Sequence, residues 1–137
     1  MAIDEGLARA IERVHDALTA MRSGDPQPYS DCWADSPEAT LFGAWGPIEH
    51  GSQAVTTTFR WVGNRFTGGE AHVEDVVVAS SGDLAYTVGF ERGPASVDGR
   101  PANEMVIRVT HVYRRVDDEW RLVHRHADFP PTDQRTT

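Results

Sequence analysis

The chain has 137 residues, one cysteine, and 13 basic against 21 acidic side chains, for a formal net charge of -8. At that length one domain buries about two thirds of its unfolded surface, so a core forms without metal staples, and Cys32 alone excludes an internal disulfide. The acidic balance argues against nucleic acid and anionic membranes as partners, no apolar run reaches the ~18 residues of a bilayer span, and the N-terminus lacks a secretory signal pattern, so the expected setting is the cytoplasm.

Ile3, Leu7, Ala10, Ile11, Val14, Leu18 and Met21 recur at three- and four-residue spacing. That spacing predicts an amphipathic helix opened by Asp4 or Glu5 and stopped at Ser23-Gly24-Asp25-Pro26. Tyr29 and Trp33 share one face of a short second helical piece, which Ser36-Pro37 closes before a strand over 38–42. Trp45-Gly46-Pro47 breaks that strand, and Gly51-Ser52 opens a third helix with Val55, Phe59, Val62 and Phe66 on one face. Thr56-Thr57-Thr58 and Gly63 weaken its intrinsic propensity, so packing must hold it.

From Gly68 the period becomes extended. Strands are expected over 71–79 and 84–92, joined through Ser80-Ser81-Gly82-Asp83, with a loop beginning at Gly93-Pro94 and including Asp98-Gly99. Met105 to Asp128 then reads as two long strands joined at Val116-Asp117-Asp118-Glu119. Phe129-Pro130-Pro131 ends the second, leaving one domain over 1–129 and a flexible polar tail over 130–137.

Helices followed by an antiparallel meander predict an α+β domain with N-terminal helices packed on a curved, mostly antiparallel sheet. Val106, Thr110 and Val112 alternate with Ile107, Val109, His111 and Tyr113, so neither sheet face reads as solvated. A second copy is the economical cover, which predicts a homodimer through the sheets.

The order of elements resembles the nuclear transport factor 2-like superfamily, the cone-shaped fold of ketosteroid isomerase, scytalone dehydratase and SnoaL-type polyketide cyclases. Its most specific part is Arg108-Val-Thr-His-Val-Tyr-Arg-Arg-Val-Asp-Asp-Glu-Trp-Arg-Leu-Val-His-Arg-His-Ala-Asp128, which is similar to the final hairpin of SnoaL-like proteins and of the calcium/calmodulin-dependent kinase II association domain. The resemblance implies the fold but spans enzymes, binding modules and assembly domains. Counting from Gly51, the isomerase's general-base position falls near Phe42; its oxyanion tyrosine falls near Ala17 and its second oxyanion acid at His111. Steroid isomerisation by that mechanism is therefore not implied. The association domain's pocket arginines fall at His111 and Ala127, so that anion-binding pattern is not carried over either.

If Phe90 points into the cone, as the resembling isomerase position does, period-two alternation sends Tyr86 and Val88 inward too. On the next strands the inward sets are Ile107, Val109 and His111, then Val123, Arg125 and Ala127, while Trp33 and Phe59 close the cavity from the helices. The expectation is an aromatic-walled pocket for an apolar molecule bearing one carbonyl or carboxylate. His111 reads either as the proton-transfer residue or as a half-buried histidine bonded to backbone or a tyrosine. Arg125 reads as a donor fork for the ligand or as half of an ion pair, and Tyr86 as a second stabiliser of negative charge or ordinary core.

Two functions follow: a SnoaL-like enzyme isomerising, cyclising or dehydrating a carbonyl-bearing substrate, or a non-catalytic ligand-binding or dimeric assembly module. Neither needs a cofactor, because water and side-chain proton transfer suffice. His124, His126 and Asp128 leave one strand face in a pattern known from zinc and iron sites, but a straight strand spreads them over about 13 Å, so contacts with the partner or with Arg114 or Arg115 are expected instead of a metal. Asp35, Glu38 and Glu104 are carboxylates within reach of the cone mouth.

Overall fold

The computed structural model describes residues 3–131. In chain order the elements are α1 (Glu5–Arg22), α2 (Gln27–Asp31), β1 (Thr40–Phe42), β2 (Ile48–His50), α3 (Ser52–Arg65), β3 (Phe66–Gly69), β4 (His72–Ser81), β5 (Leu84–Val97), β6 (Asn103–Val116) and β7 (Glu119–Asp128). The expected α+β architecture is present, with helices across a curled, mostly antiparallel sheet.

α1 forms where the spacing places it. Asp4 caps it, accepting from Gly6 N at 3.0 Å, and its other carboxylate oxygen accepts from Trp120 Nε1 at 2.8 Å and Arg115 Nη1 at 3.2 Å. The apolar stripe of Leu7, Ala10, Val14, Leu18 and Met21 packs with Tyr113, Trp120 and Leu122 of the sheet to make the main core. In α3 the glycine at 63 has a packing role. A β-carbon there would come within 2.8 Å of the Pro26 ring, so its absence is what lets the α1–α2 corner close on α3.

The sheet runs β2-β1-β7-β6-β5-β3, with β4 also on β5. β1 pairs with β7 in parallel, and the other pairings are antiparallel. The β6–β7 hairpin stands where expected, turning through Asp117 and Asp118 at φ 52° and 63°, left-handed values that aspartate tolerates.

β5 differs from expectation. It does not stop at Arg92 but runs through Gly93-Pro94 to Val97. The ladder to β4 ends at Arg92 and the ladder to β3 begins at Ala95, so Pro94 lies in the gap between them, where its missing N–H does little harm. Phe66, expected on the last turn of α3, instead caps that helix and opens β3. Among the described residues no helix is long and apolar enough to cross a membrane. Residues 130–131 carry no regular structure, and the remainder of the expected tail, 132–137, lies outside the described residues.

Candidate functional site

Five elements send polar side chains to one place inside the fold: Arg22 from α1, Tyr29 from α2, Glu91 from β5, His111 from β6 and Arg125 from β7, all buried. Strand alternation explains three of them. Inward positions on β5 are Ala85, Thr87, Glu91 and Ala95; on β6 they are Ile107, Val109, His111 and Tyr113; and on β7 Arg125 and Ala127. His111 lies directly opposite Arg125 in the β6–β7 register.

Arg125 grips Glu91 with both nitrogens, Nη1 to Oε2 at 2.6 Å and Nη2 to Oε1 at 2.9 Å. The Tyr29 hydroxyl is 2.6 Å from His111 Nε2, and Arg125 Nη1 is 3.3 Å from that same nitrogen. A guanidinium only donates, so Nε2 carries no proton and the Tyr29 hydroxyl is its donor. Burial and then the guanidinium of Arg125 push His111 down to about 3, so the ring is neutral at physiological pH. Burial pushes Glu91 upward, but the charge and hydrogen bonds of Arg125, with His111 and Arg22 behind it, outweigh this and hold it below the usual glutamate range. Burial raises Tyr29 far enough to keep its phenol protonated.

Arg22 is held differently. Its guanidinium donates to the carbonyl oxygens of Glu70 at 3.1 Å, Gly93 at 3.0 Å, Met105 at 3.4 Å and Glu91 at 3.3 Å. Those bonds tie the C-terminal end of α1 to β5, to β6 and to the β3–β4 connection.

Arg22, Tyr29, Glu91 and Arg125 form a polar wall of a cavity of about 70 Å³, whose other walls, apart from Thr58, are apolar and include Leu18, Leu41, Phe59, Val62 and Ile107. Trp45, on the β1–β2 turn, and Phe129, just after β7, also line it. Trp45 is fixed by Arg65, whose guanidinium lies 4.2 Å from the indole centroid.

Of the residues singled out from sequence, Phe59 and Arg125 line this cavity. His111 is adjacent but stands behind Tyr29 and Arg125, as a histidine bonded to a tyrosine. Trp33 is buried against Tyr29 and Phe59, with ring centroids 6.1 and 5.3 Å away, and lies outside the cavity. The inward assignment of Tyr86, Val88 and Phe90 is corrected: Tyr86 is 45% exposed on the opposite face, Val88 is exposed with it, and Phe90 shares that face, under the Arg92 guanidinium at 4.3 Å. Taking Phe90 as the inward marker inverts β5 and hides Glu91. The clue available in the sequence was size. Ala85, Thr87, Gly89, Gly93 and Ala95 make one row of small residues, whereas Leu84, Tyr86, Val88 and Phe90 form the other row. Arg22 is legible as the residue one turn beyond Leu18 on the buried face of α1, and Tyr29 only as half of a pair with Trp33.

His124, His126 and Asp128 leave the outer face and do not converge. His124 Nδ1 is 2.7 Å from Thr40 Oγ1, and Asp128 takes two 2.7 Å bonds from Arg108 rather than pairing with Arg114 or Arg115. Asp35 bonds to Ser52, Glu38 pairs with Arg114, and Glu104 is exposed beside the cavity; none of the three lines it.

Residues 11–132 match the family model of the SnoaL-like domain. Among solved structures, an NTF2-like family protein from Streptomyces avermitilis, named as a candidate dehydratase, is similar with a TM-score of 0.77 at 23% identity, over 93% of this chain and 96% of that one. An NTF2-like superfamily protein from Salmonella enterica serovar Typhimurium gives 0.77 at 18% identity, over 93% and 91%. A candidate calcium/calmodulin-dependent kinase II association domain from Thiobacillus denitrificans gives 0.75 at 22%, over 90% and 94%. The fold read from the hairpin is thereby borne out, and identities this low carry no chemistry. No curated protein matches the sequence.

Proposed function

The chain belongs to the SnoaL-like domain family, and we propose that it binds a small, largely apolar molecule whose one polar end meets Tyr29 and Arg125. One observation carries this reading: a buried set of hydrogen-bonding groups faces open space whose remaining walls are mostly apolar. The cavity's size sets a limit. A space of about 70 Å³ holds roughly five ordered waters, so the ligand is a small organic molecule, and a polycyclic one needs Trp45 or Phe129 to move. Thermal-shift screening of small ketones, alcohols and acids tests the reading, with Arg125→Met as control; stabilisation of the native protein that the variant loses is the expected result, and no stabilisation by any of them rejects it.

A second reading, acid–base catalysis on the bound molecule, draws on Glu91, a carboxylate that shares the cavity wall with a phenol and a guanidinium. Here Glu91 takes the proton, and Arg125 donates to the oxygen that gains charge, while the single proton of Tyr29 stays donated to His111. His111 is a positioning residue in this scheme. Protonating an imidazole whose pKa is about 3 costs about 5 kcal/mol at pH 7, too much for a working base. Glu91 is itself a weakened base because Arg125 occupies both its oxygens, which is why binding without chemistry is the preferred function. Glu91→Gln separates the two: loss of turnover with binding retained identifies an enzyme.

The outer sheet face is proposed as a homodimer interface. Val76, Leu84, Tyr86 and Val88 stand exposed on β4 and β5, an apolar set that a second copy would cover.

A further inference from the structure

We infer that the cavity takes a small monoanion, a carboxylate on a short apolar body, seated between the guanidiniums of Arg22 and Arg125; the inference rests on the small-molecule reading above and narrows it to one charge class. It comes from counting charge on the wall. Arg22 is 3% exposed, Glu91 2% and Arg125 8%, and all three line the cavity. Two guanidiniums against one carboxylate leave one positive charge in excess. The other ionisable groups at hand do not cancel it: Tyr29 stays a neutral phenol and His111 a neutral imidazole.

The excess belongs to Arg22. Glu91 gives both carboxylate oxygens to Arg125, whereas all four recorded hydrogen bonds of Arg22 go to backbone carbonyl oxygens. Carbonyl dipoles and the C-terminal end of α1 solvate a cation but bring no formal charge to it. Glu91 also acts on Arg22, but its one charge is shared with Arg125, and Glu104, which acts more weakly, is exposed, where solvent screens it. Burial lowers the pKa of Arg22 without removing its proton, since a guanidinium stays charged in proteins. Two buried cations sharing one carboxylate beside open space favour an anion arriving there, and they disfavour a cationic or purely apolar occupant. Phe59, Val62 and Ile107 supply the surface for the apolar body.

Isothermal titration calorimetry with butyrate against butyramide, and benzoate against benzamide, at fixed ionic strength tests this. Each pair matches in shape and differs in charge. The expected result is that the carboxylate binds about tenfold more tightly than its amide, the scale of one charge-assisted contact. Arg22→Gln brings that ratio to about one, and Arg22→Lys keeps part of it. If Arg22→Gln does not fold, the ratio on the native protein decides alone. An amide that binds as tightly as its carboxylate overturns the monoanion and leaves the small-molecule reading standing; failure of all four to bind overturns both.

Discussion

Tyr29 and His111, 82 residues apart in sequence, are joined by a 2.6 Å hydrogen bond that fixes α2 to β6 and sets the imidazole tautomer. Tyr29→Phe keeps the ring packing against Phe59 but leaves Nε2 with only the long contact to Arg125. The expected loss is about 1–3 kcal/mol, the cost of an unsatisfied buried acceptor, read from urea denaturation. An unchanged midpoint rejects the assignment of Nε2 as acceptor.

Glu91 and Arg125 are coupled more strongly. Arg125→Met strands a buried carboxylate and Glu91→Gln strands a buried guanidinium, so each single substitution costs about 3–5 kcal/mol. The double variant, with no charge left to compensate, is expected to be more stable than the sum of the singles predicts. Simple additivity in that cycle contradicts the pairing.

Acid should loosen the fold early. His111 has an ordinary value of 6.5 and a folded value of about 3, so between these pH values the unfolded chain binds the proton that the folded chain refuses. The contribution is intact above pH 6.5 and shrinks as pH falls, by about 2 kcal/mol at pH 5. Glu91, also lowered, adds in the same direction below its ordinary 4.5. Denaturation at pH 7.5 and pH 5.0 measures the slope, and His111→Gln should flatten it.

Gly89 faces the bulge in β4, and a β-carbon there would lie 2.0 Å from the Glu74 carbonyl oxygen, a backbone atom that cannot turn aside. Gly89→Ala is expected to cost about 1–3 kcal/mol and to speed amide exchange selectively along β4. Uniform exchange across the sheet would place the strain elsewhere.

For the proposed dimer, Tyr86→Asp puts a charge in the middle of the exposed apolar row without touching the core. Analytical ultracentrifugation should find the native chain dimeric and the variant shifted toward monomer. A native monomer rejects the interface.

Much of this molecule was legible in advance because its long elements repeat their pattern. α1 and the β6–β7 hairpin announce themselves by period, and the inward parity of His111 and Arg125 followed from it. β5 was harder. Large residues such as Tyr86 and Phe90 look like core, but here the inner row is small, at Gly89 and Gly93 because the backbone of β4 and of Glu70 leaves no room for a β-carbon, and the large row faces out. Period alone gives two rows without saying which is inside, so Glu91 stayed hidden. The burial of Arg22 is legible from its place on the face of α1, but its role is not: nothing in a helix's sequence says that an arginine at its end will find four carbonyl oxygens from other segments.

The parallel pairing of β1 with β7 has a consequence for how the protein comes into being. It joins Thr40 to His124, and the polar wall likewise joins Tyr29 to Arg125 across 96 residues. Contacts of such separation form late, after the entropy of closing a long loop has been overcome. On the ribosome the helices emerge well before the strand that completes their site. A nascent chain halted ahead of β7 therefore carries Glu91 and Arg22 without Arg125, and the polar wall is completed in one step with the final hairpin rather than growing with chain length.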